Sequence, residues 1–119
     1  MKPQRIQLSR RKGFDLQKVS LVLNGLPAVN CARPGKWGNP FIVGKDGTRA
    51  KCVELFRNLC AGLLCISRGR ECADRQRAFL EYATDQRHLK SLRGKNLACW
   101  CALDGKPCHA DVLLKIANP

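Results

Sequence analysis

Hydrophobic and polar positions follow two different periods along the chain, and each change of period marks an element. Arg5-Ile6-Gln7-Leu8 alternates polar and apolar, which predicts an edge strand or an arm laid along the body. Val19 to Leu23 is an aliphatic and β-branched run closed by the turn pair Asn24-Gly25, and it reads as a buried strand with Val29 to Cys31 as its hairpin partner. Residues 33–41 carry two prolines and two glycines in nine positions and form an irregular loop. Thr48 is placed to cap a helix in which Val53, Phe56, Cys60, Leu63 and Leu64 recur at helical spacing. A polar break at 67–71 precedes a second helix bearing Phe79, Leu80 and Ala83 and ending near Thr84. A third, from Asp85 to Leu92, is stopped by Gly94. Asn96 to Cys101 reads as a strand, Asp104 to Pro107 as a tight turn, and a last helix runs from about Cys108 to Ala117.

This order predicts an α/β fold: a small sheet flanked by helices, closed by a strand-turn-helix that carries the Cys/His cluster. At 119 residues and 13.3 kDa the chain has room for one core, so 1–119 is expected to be a single domain, with 1–18 as a basic N-terminal arm or edge strand. No run approaches the roughly 18 apolar residues of a membrane span, so no membrane partner is expected. The first twelve residues are basic but lead into nothing like the apolar core of a secretory leader, so the expected location is cytoplasmic. In a reducing compartment the eight cysteines stay free, bind metal or do chemistry.

The formal net charge is +13, with the excess concentrated toward the front of the chain. Arg5, Arg10, Arg11 and Lys12, with Lys18 nearby, make a patch suited to nucleic-acid phosphates. A solvated face that keeps the protein soluble is the plainer reading of the same charges. In the loop, Arg33, Lys36, Trp37 and Asn39 are the candidate ligand-binding residues. An exposed Trp37 beside Arg33 and Lys36 would stack on a base, whereas a buried Trp37 would plug the core and leave Arg33, Lys36 and Asn39 to face a cleft.

The sharpest chemistry lies in Cys99-Trp100-Cys101, followed after six residues by Cys108-His109. On a strand, Cys99 and Cys101 share a face, and the turn at 102–107 is long enough to bring Cys108 and His109 back to them. Three thiolates and an imidazole are a zinc set, so Cys99, Cys101, Cys108 and His109 are the candidate metal ligands, for zinc or iron, with Asp111 as a substitute or supporting group and Cys31 as a further donor. The same residues admit a catalytic site: Cys101 or Cys108 as nucleophile, His109 as base on the inner face of the last helix, and Asp111 as its orienting carboxylate. A metal-bound water attacking a phosphate or base is the third chemistry they allow. Cysteines packed in a core, without function, remain the structural alternative, and that is the preferred reading of Cys52, Cys60, Cys65 and Cys72.

The N-terminal segment Arg5-Ile6-Gln7-Leu8-Ser9-Arg10-Arg11-Lys12-Gly13-Phe14, the loop Arg33-Pro34-Gly35-Lys36-Trp37-Gly38-Asn39-Pro40-Phe41 and the tail from Leu92 through Cys99-Trp100-Cys101 to Cys108-His109-Ala110-Asp111-Val112-Leu113 together resemble, over nearly the full length, a family of small phage and bacterial proteins, the domain of unknown function 4326. Phe14 stands where that family is expected to have Trp. The resemblance implies that loop and tail belong to one shared site, and it implies no activity. The expected function is a small basic zinc protein binding a nucleotide or nucleic acid between the WGNPF loop and the CWC/CH tail. A Cys- or metal-dependent enzyme on a nucleotide or nucleic-acid substrate, and a phage-type accessory protein binding a host protein, are the competing expectations.

Overall fold

The computed structural model describes residues 2–119; Met1, the first residue of the expected arm, lies outside them. Its elements are β1 (Arg5–Gln7), α1 (Leu16–Asn24), β2 (Ala28–Asn30), α2 (Arg49–Cys60), α3 (Arg70–Ala83), α4 (Gln86–Leu92), β3 (Asn96–Cys99) and α5 (His109–Ala117). The fold is α/β, one domain around a three-stranded sheet in the order β1-β3-β2. Both ladders are parallel, with Arg5 to Gln7 opposite Leu97 to Cys99 and Ala28 to Asn30 opposite Asn96 to Ala98.

The last strand in sequence is thus the central one. The chain crosses over β3's place between β1 and β2, then returns between β2 and β3, and right-handed crossovers in opposite directions put their helices on opposite faces. Side-chain alternation agrees. Ile6, Ala28 and Ala98 face Phe14 and Leu16 on the α1 side, while Leu97, Cys99 and Val29 face the larger core built from α2 to α5.

Val19 to Leu23, expected to be a buried strand, lies in α1, and β2 pairs parallel with β3 instead of forming a hairpin with that run. Asp15 caps the helix through the amides of Gln17 and Lys18, and Gly25 ends it in the left-handed conformation, φ 77°. These stops leave nine residues whose amphipathic pattern is inverted. Ser20 and Asn24 are buried against the sheet, and Val19, Leu21, Val22 and Leu23 are exposed, Val22 to 82%.

The polar face has a specific partner. Asn96 of β3 donates to Ser20 Oγ at 2.7 Å and to Asn24 Oδ1 at 2.8 Å, and accepts from Asn24 at 2.9 Å and from the Gln4 amide at 2.8 Å. Four bonds on one buried amide join α1, β3 and the approach to β1. Gln17 clamps the edge strand β2 as well, accepting from the Ala28 amide and donating to its carbonyl.

The other helices lie near their expected positions. Thr48 caps α2 and Asp85 caps α4, but α2 stops at Cys60 because Gly62 turns the chain with φ 95°, leaving Leu63 exposed. Among the described residues no helix is long and apolar enough to cross a membrane.

Replacing Asn96 by Leu strands the polar groups of Ser20, Asn24 and Gln4, and is expected to cost about 3 kcal/mol. Val22→Ser, on the exposed side of the same helix, should stay within about 0.5 kcal/mol of wild type. Urea midpoints with unchanged slopes check both, and a large loss for Val22→Ser would restore the buried-strand reading.

Candidate metal centre and the cleft beside it

Parallel strands bring their carboxyl ends to one edge, where open α/β sheets hold ligands. Here that edge gathers Leu8 to Lys12 after β1, Cys31 and the 33–41 loop after β2, and Trp100 and Cys101 after β3. Helix α5 starts at the same place. Its N-cap, Cys108, makes no side-chain capping bond, so its sulfur is free for other partners.

The ligand atoms of Cys99, Cys108 and His109 all lie within 4.8 Å of one another, and all three residues are buried. His109 Nδ1 is 3.8 Å from Cys99 Sγ and 3.9 Å from Cys108 Sγ; Cys101 Sγ, half-buried, is 3.9 Å from Cys99 Sγ. Adjacent residues normally diverge, but Cys108 is extended (φ −140°, ψ 147°) and His109 begins the helix, a change of backbone conformation that aims both side chains at one point. Such a cluster of soft donors can hold a metal ion.

The surroundings set the state of each donor. His109 Nε2 donates to the Cys31 carbonyl at 2.8 Å, which turns Nδ1 toward the sulfurs. Phe56 of α2 packs edge-on against the imidazole at 5.4 Å. Cys31 therefore enters through its carbonyl, and burial together with the nearby Cys99 pushes its thiol up to about 12. The neighbouring Cys108 thiol holds the Cys99 thiol well below the usual thiol range, with His109 adding to the effect against the cost of burial. Cys108 is pushed up by its closeness to Cys99 and by burial, and Cys101 by burial and by the charge on Cys99.

Two arginines shape the connection between Cys101 and Cys108. Arg5 of β1, its side chain almost fully buried, donates to the carbonyls of Cys101 (2.8 Å) and Ala102 (3.0 Å) and pairs with Asp111 at 3.3 Å. Arg49, at the start of α2, donates to the carbonyls of Pro107 (2.8 Å) and Lys106 (3.3 Å) and pairs with Asp104. Of the basic residues expected to meet nucleic acid, Arg5 is thus committed inside the protein, whereas Arg10, Arg11 and Lys12 are exposed. The Asp111 carboxylate serves Arg5, and the place expected for it behind the imidazole is taken by the Cys31 carbonyl.

Beside the cluster opens a cleft of about 210 Å³, lined on one side by Arg33, Asn39 and Phe41 and on the other by Cys99, Trp100, Cys101 and His109. The loop and the tail do meet. Trp37 is only 5% exposed and packs edge-on against Tyr82 (5.1 Å) and Phe79 (6.3 Å), so of its two expected roles it has the core one. Asn39 is buried, bonding the Phe41 amide and the Cys52 carbonyl, and it holds the loop's shape. Gly38 is pressed against Arg33, where a Cβ would come within 3.0 Å of Arg33 Cα. Arg33 and Lys36 remain exposed. The exposed aromatic ring is Trp100, at 45%, with the Arg10 guanidinium 4.9 Å from its centroid. Its position between two cysteines of the cluster was the available signal for it.

Fold and cluster together define a small parallel α/β protein with a Cys/His site able to hold metal at the carboxyl edge of its sheet. By sequence the chain belongs to the domain of unknown function family DUF4326, whose profile matches residues 15–119. It is also similar to an uncharacterized 12.4 kDa protein from the nrdA-td intergenic region of Enterobacteria phage T4, 35% identical over 91 residues, which is 76% of this chain and 67% of the relative. No solved structure matches it.

Arg5→Met keeps the buried stem and removes the charged fork, leaving two carbonyls and Asp111 without their partner. It is expected to cost about 2 kcal/mol of stability and to make the 102–107 turn the first site of limited proteolysis. An unchanged urea midpoint and cleavage pattern would remove Arg5 from the framework of the site.

Proposed function

We propose that this is a zinc protein that binds a nucleotide or a nucleic-acid segment along the carboxyl edge of its sheet, with Cys99, Cys101, Cys108 and His109 as ligands. The convergence of Cys99, Cys108 and His109, with Cys101 Sγ 3.9 Å from Cys99 Sγ, beside a basic-rimmed cleft carries the reading. Zinc stands about 2.3 Å from a thiolate and 2.0–2.1 Å from an imidazole nitrogen, so a tetrahedral site spaces its sulfurs about 3.8 Å apart and sulfur from nitrogen about 3.6 Å. The distances from His109 Nδ1 to Cys99 Sγ (3.8 Å) and Cys108 Sγ (3.9 Å), and from Cys101 Sγ to Cys99 Sγ (3.9 Å), lie within a few tenths of an ångström of that spacing, while Cys101 stands outside the group of three whose ligand atoms are all within 4.8 Å of one another. Zinc would also supply the positive charge that lets all three sulfurs ionise.

As the fourth ligand Cys101 would close the site, leaving no position for water or substrate, which would favour a binding protein over a metal-dependent hydrolase. The full burial of Cys108 likewise weighs against its serving as a cysteine nucleophile. Phosphate capture falls to Arg10, Arg11, Lys12, Arg33 and Lys36, exposed on segments that leave the same sheet edge, within a chain of net charge +13. Reduced thiols at the centre call for a reducing compartment, and we infer the cytoplasm.

Protein purified reduced and free of chelators is expected to carry about one zinc per chain, lost in Cys99→Ser and Cys108→Ser, weakened in Cys101→Ser and kept in Cys60→Ser. A labelled single-stranded oligonucleotide should bind with an affinity that falls steeply with added salt and further in Arg10→Ala/Arg33→Ala. Metal-free reduced wild type would sink the zinc site, and salt-independent or absent binding would sink the phosphate-capturing edge.

A further inference from the structure

Trp100 is a large apolar ring held at the surface at the mouth of the cleft. Solvent exposure of an indole costs hydrophobic free energy that a core position would recover, and this chain buries its other tryptophan. The backbone that carries the ring is also held firmly. On one side Cys99 is buried and its carbonyl accepts from the Leu8 amide at 2.8 Å; on the other the Cys101 carbonyl is held by Arg5. An aromatic side chain on backbone held from both flanks has less conformational freedom to lose when something stacks on it.

What surrounds the ring narrows what that is. Arg10 sits over it at 4.9 Å, Arg33 and Arg49 line the same cleft, and among the described residues Arg10 and Arg33 take part in no ion pair. A ligand that fits must therefore offer a flat π-face together with negative charge a few ångströms away, which is the chemistry of a nucleobase on its phosphate. The base must be unpaired, because in a duplex both faces of each base are already stacked. We propose that Trp100 is the stacking platform for an unpaired nucleobase. The base takes the place of the Arg10 guanidinium on the ring, and the freed guanidinium pairs with the adjacent phosphate. This rests on the nucleotide-binding reading above and deepens it by naming the group recognised and the residue that recognises it.

The chain has two tryptophans, and Trp37 is buried, so a ligand-dependent fluorescence change reports Trp100. The probes are an end-labelled oligothymidylate of about a dozen nucleotides, the same strand in a duplex, and thymidine monophosphate, each titrated while label anisotropy or competition against the labelled strand is followed. Expected are quenching by the single strand, loss of that quenching in Trp100→Leu, and an affinity at least about tenfold weaker in that variant, with Trp100→Phe retaining most of it. Zinc content and urea midpoint of Trp100→Leu should equal those of wild type, an outcome that a purely structural role for the ring would not give. Quenching by thymidine monophosphate at comparable affinity supports the same site with a free nucleotide as its source. Binding of the strand without quenching, at equal affinity in Trp100→Leu, overturns the proposal and leaves the basic edge standing. Equal binding and quenching by the duplex overturns the requirement for an unpaired base. Absence of any binding by anisotropy overturns both this and the reading it rests on.

Discussion

Strand β3 pairs with β1 on one side and β2 on the other, so every ladder hydrogen bond of the sheet involves it. Its four residues are all buried and divide their side chains between two jobs. Leu97 and Cys99 enter the main core, while Asn96 and Ala98 meet α1, with Asn96 forming the polar lock to Ser20 and Asn24. A buried amide with all its bonds made adds little net stability but imposes a register, because any slip of β3 would leave those partners unpaired. The register in turn sets where Cys99 emerges. The position of the metal-capable cluster thus descends from the amide three residues earlier on the same strand.

The cluster is built from backbone events more than from long reach. A strand ends and an N-cap turns into a helix, and each event delivers a short side chain to a common point. Short side chains lose little rotamer entropy when they converge, which suits a site where several polar groups must be held together. The two arginines work from outside this centre. By taking up the carbonyls of the exposed 102–107 connection, Arg5 and Arg49 satisfy groups that a tight turn cannot pair for itself, and they fix the spacing between Cys101 and Cys108.

Much of this was legible in the sequence. Helices α2 to α5 follow from apolar spacing and from the caps Thr48 and Asp85, and the pairing of the 33–41 loop with the Cys99–His109 segment was implied by the family resemblance of those two stretches. Helix α1 was not legible, because pattern reading assumes that apolar residues face inward, and here the inward face is Ser20 and Asn24. The partner that reverses the rule, Asn96, lies more than seventy residues away and is recognisable only in three dimensions. The tryptophans illustrate a related limit. Trp37 sits in a glycine- and proline-rich loop, a context associated with exposure, yet Tyr82 and Phe79 enclose it; Trp100 sits between buried Cys99 and half-buried Cys101 and is the exposed one. Local context describes a residue's neighbours in sequence, whereas burial depends on what the rest of the chain brings to it.

The order of the strands also bears on how the molecule comes into being. During synthesis β1, α1 and β2 leave the ribosome well before β3, and until β3 arrives the two earlier strands have no neighbour to pair with, because their places in the sheet are not adjacent. The nascent chain can form local helices but no sheet. Insertion of a late strand between two waiting ones joins distant parts of the sequence in a single step, an entropically demanding closure that slows folding. The same late segment brings Cys99 and, shortly after, His109, so the tertiary fold and the cluster mature together at the end of translation of this region.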